Sequence, residues 1–109
     1  MKFKMSTNIA VQTTEPEKAI EFYTKILGFR NRTDESDFAG IDADPLRMFV
    51  QKDDQTSGLV LELFVDDLDE AKKILLENGC RIIRWKGLGQ DCYIEDPFGV
   101  KFNIWQNKK

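Results

Sequence analysis

The sequence predicts an α+β fold built from two tandem βαβββ modules, and three observations carry that prediction. The chain repeats itself at a constant offset of 52 residues, which carries Asp44-Pro45 onto Asp96-Pro97 and aligns Glu15-Pro16-Glu17-Lys18-Ala19 with Asp67-Leu68-Asp69-Glu70-Ala71. Each copy holds one helix signal, stopped by Gly28 in the first and Gly79 in the second. The rest of each copy alternates apolar and polar residues in short runs broken by polar turns, the pattern of half-buried strands. A repeat of this length, with one helix and several strands per copy, is a duplicated supersecondary unit, and the function is expected between the copies.

In the first copy, Met5 to Gln12 alternates as a strand, with Ile9 and Val11 on one face and Asn8, Ala10 and Gln12 on the other. Thr14-Glu15-Pro16-Glu17 then reads as a helix start, combining a polar cap, a first-turn proline whose missing N–H costs nothing, and early acidic charge. Ala19, Ile20, Phe22, Tyr23, Ile26 and Leu27 give that helix an apolar stripe. Strands are expected at about Phe29 to Thr33, Asp37 to Ile41 and Arg47 to Lys52.

The second copy repeats the order. Leu59, Leu61, Leu63 and Val65 form one strand face against Val60, Glu62 and Phe64, and Asp66 to Glu77 forms a helix burying Leu68, Ala71, Ile74 and Leu75. Acids at Asp66, Asp67, Asp69 and Glu70 read as capping and dipole chemistry at the helix start rather than as a cation site. Strands follow at about Arg81 to Trp85, Asp91 to Glu95 and Val100 to Trp105, the last two joined by the turn Asp96-Pro97-Phe98-Gly99. The polar run from Asp53 to Gly58 links module 1, about residues 1–53, to module 2, about residues 58–109.

Composition narrows the function. With 109 residues, 41% hydrophobic and 32% charged, the chain is expected to form one globular domain with no room for a second. A formal net charge of -3 argues against a generic nucleic-acid binder, whose phosphate contacts need clustered Lys and Arg, and Lys108-Lys109 reads as a solvated tail. No long apolar run follows Met1-Lys2-Phe3-Lys4, so neither a secretory signal nor a membrane span is expected, and a cytoplasmic location is. Cys80 and Cys92 lack the spacing of a redox pair or a metal knuckle and are read as small packing residues. The chain has no histidine, so no Ser or Cys nucleophile has its usual base.

The run Asn-Ile-Ala-Val-(x)7-Ala-Ile-Glu-Phe-Tyr-Thr-Lys-Ile-Leu-Gly-Phe from Asn8 to Phe29, the helix start Val65-Asp66-Asp67-Leu68 and the closing Asp-Pro-Phe-Gly-Val-Lys-Phe-Asn-Ile-Trp resemble the vicinal oxygen chelate superfamily. That group includes glyoxalases, bleomycin-resistance proteins and extradiol dioxygenases. Each motif alone is weak, but all of them, in order, on a 52-residue repeat, make the resemblance specific and extend it over nearly the whole chain. The resemblance implies paired βαβββ modules whose strands form a curved, cup-shaped mixed sheet with helices on its outer face, commonly with ligand sites shaped by dimerisation. It also implies four metal-holding positions on the first and last strands of the modules. Here they fall on Asn8, where His is usual, Asn103, where Glu is usual, and by the repeat offset Gln51 and Val60.

None of those four residues is anionic, and Val60 cannot coordinate, so no metal and no other cofactor is expected. Asn8, Gln51 and Asn103 also fit a structural role as polar groups bonded to each other or to water. One route to a metal stays open, an oxygen-rich site combining Glu62 with Gln12, Gln51 or Asn103, although a single carboxylate among amides holds a hard cation weakly. Alternation sends Phe49, Phe64 and Trp105 into the cup beside Arg47, Gln51, Val60, Glu62, Lys101 and Asn103, with Trp85 and Tyr93 on its rim. Aromatic walls with a few polar groups suit a planar or amphipathic small molecule. The same aromatics could instead close a small core or a dimer contact, and Glu62 beside Lys101 could be an ion pair.

The leading expectation is thus a metal-free binding protein, similar in architecture to bleomycin-resistance proteins, that sequesters an aromatic or cationic compound in the cup of a homodimer. No nucleic acid or membrane is expected as a partner. The alternatives are a metal-dependent lyase, isomerase or dioxygenase with atypical ligands, and a dimerising interaction module with no small-molecule ligand.

Overall fold

The computed structural model describes residues 1–32 and 39–107. The expected positions of Thr33, Asp37, Phe38 and the Lys108-Lys109 tail lie outside the described residues. Contacts divide the chain into two compact units, one of Thr7–Leu59 and one of Met1–Ser6 with Val60–Lys109.

The first unit is framed by strand β1 (Phe3–Thr13) from Thr7 onward, helix α1 (Pro16–Glu21) and strands β2 (Arg30–Arg32), β3 (Ala39–Ala43) and β4 (Leu46–Lys52). Its strands lie in the order β2-β3-β4-β1, with β3 antiparallel to both β2 and β4, and β4 parallel to β1. Ile41, Met48 and Val50 form the buried centre, covered by Ile9, Val11, Ala19, Ile20, Tyr23, Phe29 and Ala43. Burying one strand face under one helix is what the two periodicities require, since a strand shows alternate residues and a helix shows a stripe.

The helix of this unit differs from its expected form. Pro16 stands in the first turn as expected, but the cap residue is Glu15 and makes no side-chain bond to the helix; Thr13 Oγ1 instead accepts from the Glu15 N–H at 3.0 Å. Past Glu21 the helix widens into a π-helical turn, Phe22–Ile26, in which the Leu27 N–H donates to the Phe22 carbonyl at 3.2 Å. The Thr24 hydroxyl donates to the Ile20 carbonyl at 2.8 Å, a back-bond that bends helices by competing for the ladder. Gly28, at φ +79°, then reverses the chain.

The second unit holds β5 (Gly58–Val65), α2 (Leu68–Glu77), β6 (Arg81–Trp85), β7 (Cys92–Glu95) and β8 (Lys101–Gln106), in the order β5-β8-β7-β6. Here β5 and β8 are parallel and the other neighbours antiparallel. Val65, Leu68, Ala71, Cys92, Ile94 and Ile104 make its buried core. Asp67 caps α2, its Oδ1 accepting from the Glu70 N–H at 3.0 Å, while Gln106 Oε1 accepts from the Leu68 N–H at 2.7 Å. Asp96 Oδ1 closes the β7–β8 turn by accepting from the N–H groups of Phe98 and Val100, both at 2.9 Å. Both units follow the predicted β-α-β-β-β order, so the α+β class stands.

Candidate functional site

The predicted site residues fall into two groups, one on each unit. In the first unit the strand pairing arranges them in rungs. Arg30 is opposite Asp42, Asp42 opposite Arg47, and Arg47 opposite Asn8, a charged rung across four strands. The next rung runs Arg32, Gly40, Phe49, Ala10, and the third pairs Gln51 with Gln12. Because Ile9, Val11, Met48 and Val50 pack with α1, alternation puts these rungs on the face away from that helix. Gln12 is only 2% exposed, and its Nε2 donates to Gln51 Oε1 at 2.6 Å. A cleft of about 300 Å³ opens at the end of the charged rung, lined by Gly28, Phe29, Arg30, Asp42, Ala43 and Asp44.

In the second unit the corresponding face carries Val60 opposite Lys101, Glu62 opposite Asn103 and Phe64 opposite Trp105. Strand β7 extends two of these rungs with Glu95 beside Lys101 and Tyr93 beside Asn103, and β6 adds Arg81 beside Glu95 and Arg84 beside Tyr93. Val60 is buried at 1% exposure, as is Tyr93 at 2%, whose expected rim position is therefore not exposed. The Arg84 guanidinium lies 5.0 Å from the Tyr93 ring centre and reaches Asp91 Oδ2 at 3.3 Å. Asn103 Oδ1 accepts from the Cys92 N–H at 3.1 Å, joining β8 to the start of β7.

Trp85 departs from its expected place. It packs with the α2 cluster, and the Lys72 ammonium stands 5.2 Å from its ring centre, on the face opposite Tyr93. The cause is a bulge in β6. The register moves from Ile82 opposite Ile94 to Arg84 opposite Tyr93, so Ile83 is an extra residue and every later side chain changes face. Simple alternation from Ile82 puts Trp85 away from the helix; the bulge puts it underneath and presents Arg84 instead. Sequence reading thus missed Arg84. It also missed Arg30, Arg32 and Asp42, which only the cross-strand register brings beside Arg47.

Both cysteines are free, and both thiols are pushed above the usual thiol range, chiefly by burial. The Cys92 thiol is fully buried and donates to the Gly87 carbonyl at 3.3 Å. Neither has the low thiolate pKa of a nucleophile.

The four positions at which the resemblance implies metal ligands do not fit a divalent ion. Val60 has no donor atom, and the other three are neutral amides, two of whose oxygens already accept the bonds from Gln12 and from the Cys92 N–H. Such a set supplies no charge to offset dehydration of the cation. Among the described residues, no group of three or more His, Cys, Asp or Glu side chains is gathered as a metal site would need. Glu62 does stand beside Asn103, which is the one pairing within this unit that the oxygen-rich alternative requires.

Comparison with known proteins agrees with the architecture. The family described as "Glyoxalase-like domain" matches residues 8–105. No curated protein matches the sequence significantly. Among solved structures, the hypothetical protein BH1468 from Bacillus halodurans C-125 is similar at 15% identity, with 100% of this chain and 97% of that chain covered and a TM-score of 0.65. A glyoxalase/bleomycin resistance protein/dioxygenase superfamily member from Vibrio splendidus 12B01 is similar at 14% identity over 97% of this chain and 100% of that one, with a TM-score of 0.62. An extradiol ring-cleaving dioxygenase from B. fuscum is similar at 19% identity over 97% of this chain but 33% of that one, with a TM-score of 0.61. At these identities the likeness is one of fold. None of the described helices is long and apolar enough to cross a membrane.

Proposed function

Given that the chain belongs to the glyoxalase-like domain family, within the vicinal oxygen chelate superfamily, we propose that it binds a small aromatic compound without a metal. The observation that carries this reading is the donor set: the four ligand positions hold Asn8, Gln51, Val60 and Asn103, and two of the three amides are committed to hydrogen bonds within their own unit. What the sheet faces do offer is aromatic surface beside polar groups, Phe49 in the first unit and Phe64 and Trp105 in the second. Stacking on such rings supplies affinity, and fixed polar groups set orientation. The protein acts by sequestering its ligand, as a homodimer in the cytosol, where two free thiols are at home.

The test is thermal melting of chelator-stripped protein with zinc, nickel, manganese, magnesium or iron(II), and then with a panel of aromatic compounds followed by tryptophan fluorescence. The reading expects no shift with any ion and saturable stabilisation by at least one aromatic. An ion present at a hundred times its dissociation constant stabilises a fold by about 2.7 kcal/mol, a shift that melting resolves. Stabilisation by one ion, lost in Glu62→Gln, would instead establish a metal-dependent enzyme with Glu62 among its ligands. Light scattering tests the homodimer.

A further inference from the structure

The same charged rung occurs in both units with opposite outcomes. In the second unit Arg81, Glu95 and Lys101 lie side by side, and Arg81 Nε donates to Glu95 Oε1 at 3.0 Å. Arg84 is likewise matched by Asp91. On that face Arg81, Arg84 and Lys101 stand against Glu62, Asp91 and Glu95, and the charges balance. In the first unit Arg30, Asp42 and Arg47 lie in the same order, yet among the described residues neither arginine has an ion-pair partner. Among the described residues, two guanidinium groups on that rung thus stand against Asp42 alone.

Between this charged rung and the amide rung lies Phe49, flanked by Gly40 on β3 and Ala10 on β1. A Cβ at Gly40 would lie 3.7 Å from Phe49 Cε1 and 3.3 Å from the Arg32 carbonyl oxygen, so the ring leans over β3 across a residue with no side chain. The result is an aromatic shelf with small residues on both sides. Arg47 sits two residues before Phe49 on the same strand, about 7 Å away along it, within reach of a group carried on a stacked ring by a short linker.

We propose that this face of the first unit is an acid-recognition site, and that the ligand is an aromatic carboxylate whose ring stacks on Phe49 while Arg47, with Arg30 behind Asp42, takes its carboxylate. The assignment rests on the aromatic-binding reading above and fixes the charge of the ligand, replacing the cationic compound that Glu62 alone suggested. Guanidinium matches a carboxylate in shape as well as charge, which is why the preference should be for an acid and not merely for a polar compound.

Titration calorimetry of the full chain with phenylacetate, phenylacetamide and phenethylamine separates the terms, since the three share a ring and differ in charge. The expected result is binding of phenylacetate at least about tenfold tighter than either of the others, a preference that falls away in Arg47→Gln and weakens as salt is added. Phe49→Ala should weaken all three together. Arg47 is exposed, so its variant is expected to fold, and Arg30→Gln gives a second reading of the same preference. Equal binding of the three compounds, or an acid preference unchanged in both arginine variants, would overturn the charge assignment and leave the aromatic reading standing. Failure of every aromatic compound to bind would remove both.

Discussion

Gln12 and Gln51 face each other across the parallel pair of β1 and β4, and the Gln12 amide nitrogen donates to the Gln51 amide oxygen at 2.6 Å with Gln12 almost wholly buried. Removing Gln51 takes this bond from an almost wholly buried amide. Gln51→Ala should therefore cost about 1–3 kcal/mol, whereas replacing both residues with leucine should cost clearly less, because it leaves no unsatisfied amide. Chemical denaturation of the two variants checks the order; a double variant worse than the single one would show that the amides do more than satisfy each other.

The two helix-stopping glycines should respond differently to a methyl group. Both have positive φ, Gly28 at +79° and Gly79 at +93°, so either alanine variant carries a left-handed backbone strain of about 1–2 kcal/mol. At Gly28 the added Cβ meets nothing within 4 Å, but at Gly79 it would come within 3.2 Å of Pro97 Cγ. Gly79→Ala is expected to melt lower than Gly28→Ala, and equal melting points would contradict the close approach.

Asp67 and its bond to the Glu70 N–H hold the first turn of α2. Asp67→Ala should cost about 1 kcal/mol, while Asp67→Asn and Asp67→Ser should retain most of it, since either side chain can accept the same bond. Thermal melting of the three variants reads this directly. A loss shared by all three would point to charge rather than capping.

The buried Cys92 thiol should resist alkylation by iodoacetamide under native conditions much longer than the half-exposed Cys80, with the difference vanishing in urea. Burial raises the folded pKa of Cys92, so the fold favours the protonated form. That contribution to stability is complete below the unfolded thiol pKa of about 8.5 and is lost as pH rises through the higher folded value. Cys92→Ala should make the melting temperature less sensitive to pH in that alkaline range. An unchanged alkaline slope would assign the sensitivity to other groups.

Much of this was legible in the sequence because it depends on local rules. The 52-residue offset, the alternation of Leu61, Leu63 and Val65 against Val60, Glu62 and Phe64, and the cap at Asp67 all survive in the structure within a residue or two. Strand β6 was delimited at Arg81 and Trp85 as found. What escaped reading depends on partners far along the chain. The π-helical turn coincides with the Thr24 back-bond to the Ile20 carbonyl, which no propensity reports, and the charged rung needs the registers of β2, β3 and β4 together. For the candidate site, Arg47, Phe49 and Gln51 could be read from one strand, but Arg30, Asp42 and Arg84 could be placed beside them only by pairing.

The extra residue at Ile83 shows that a sheet can change what it displays without changing what it is made of. Were the ladder regular there, Ile83 would stand opposite Tyr93 and Arg84 opposite Cys92, exchanging Trp85 for Arg84 on each surface, burying a cation and baring an indole; deletion of Ile83 would instead leave both residues opposite the partners they have now. A bulge at that point therefore sets the phase of the residues beyond it, and it offers a duplicated fold a way to give its two halves different surfaces while both keep a hydrophobic interior.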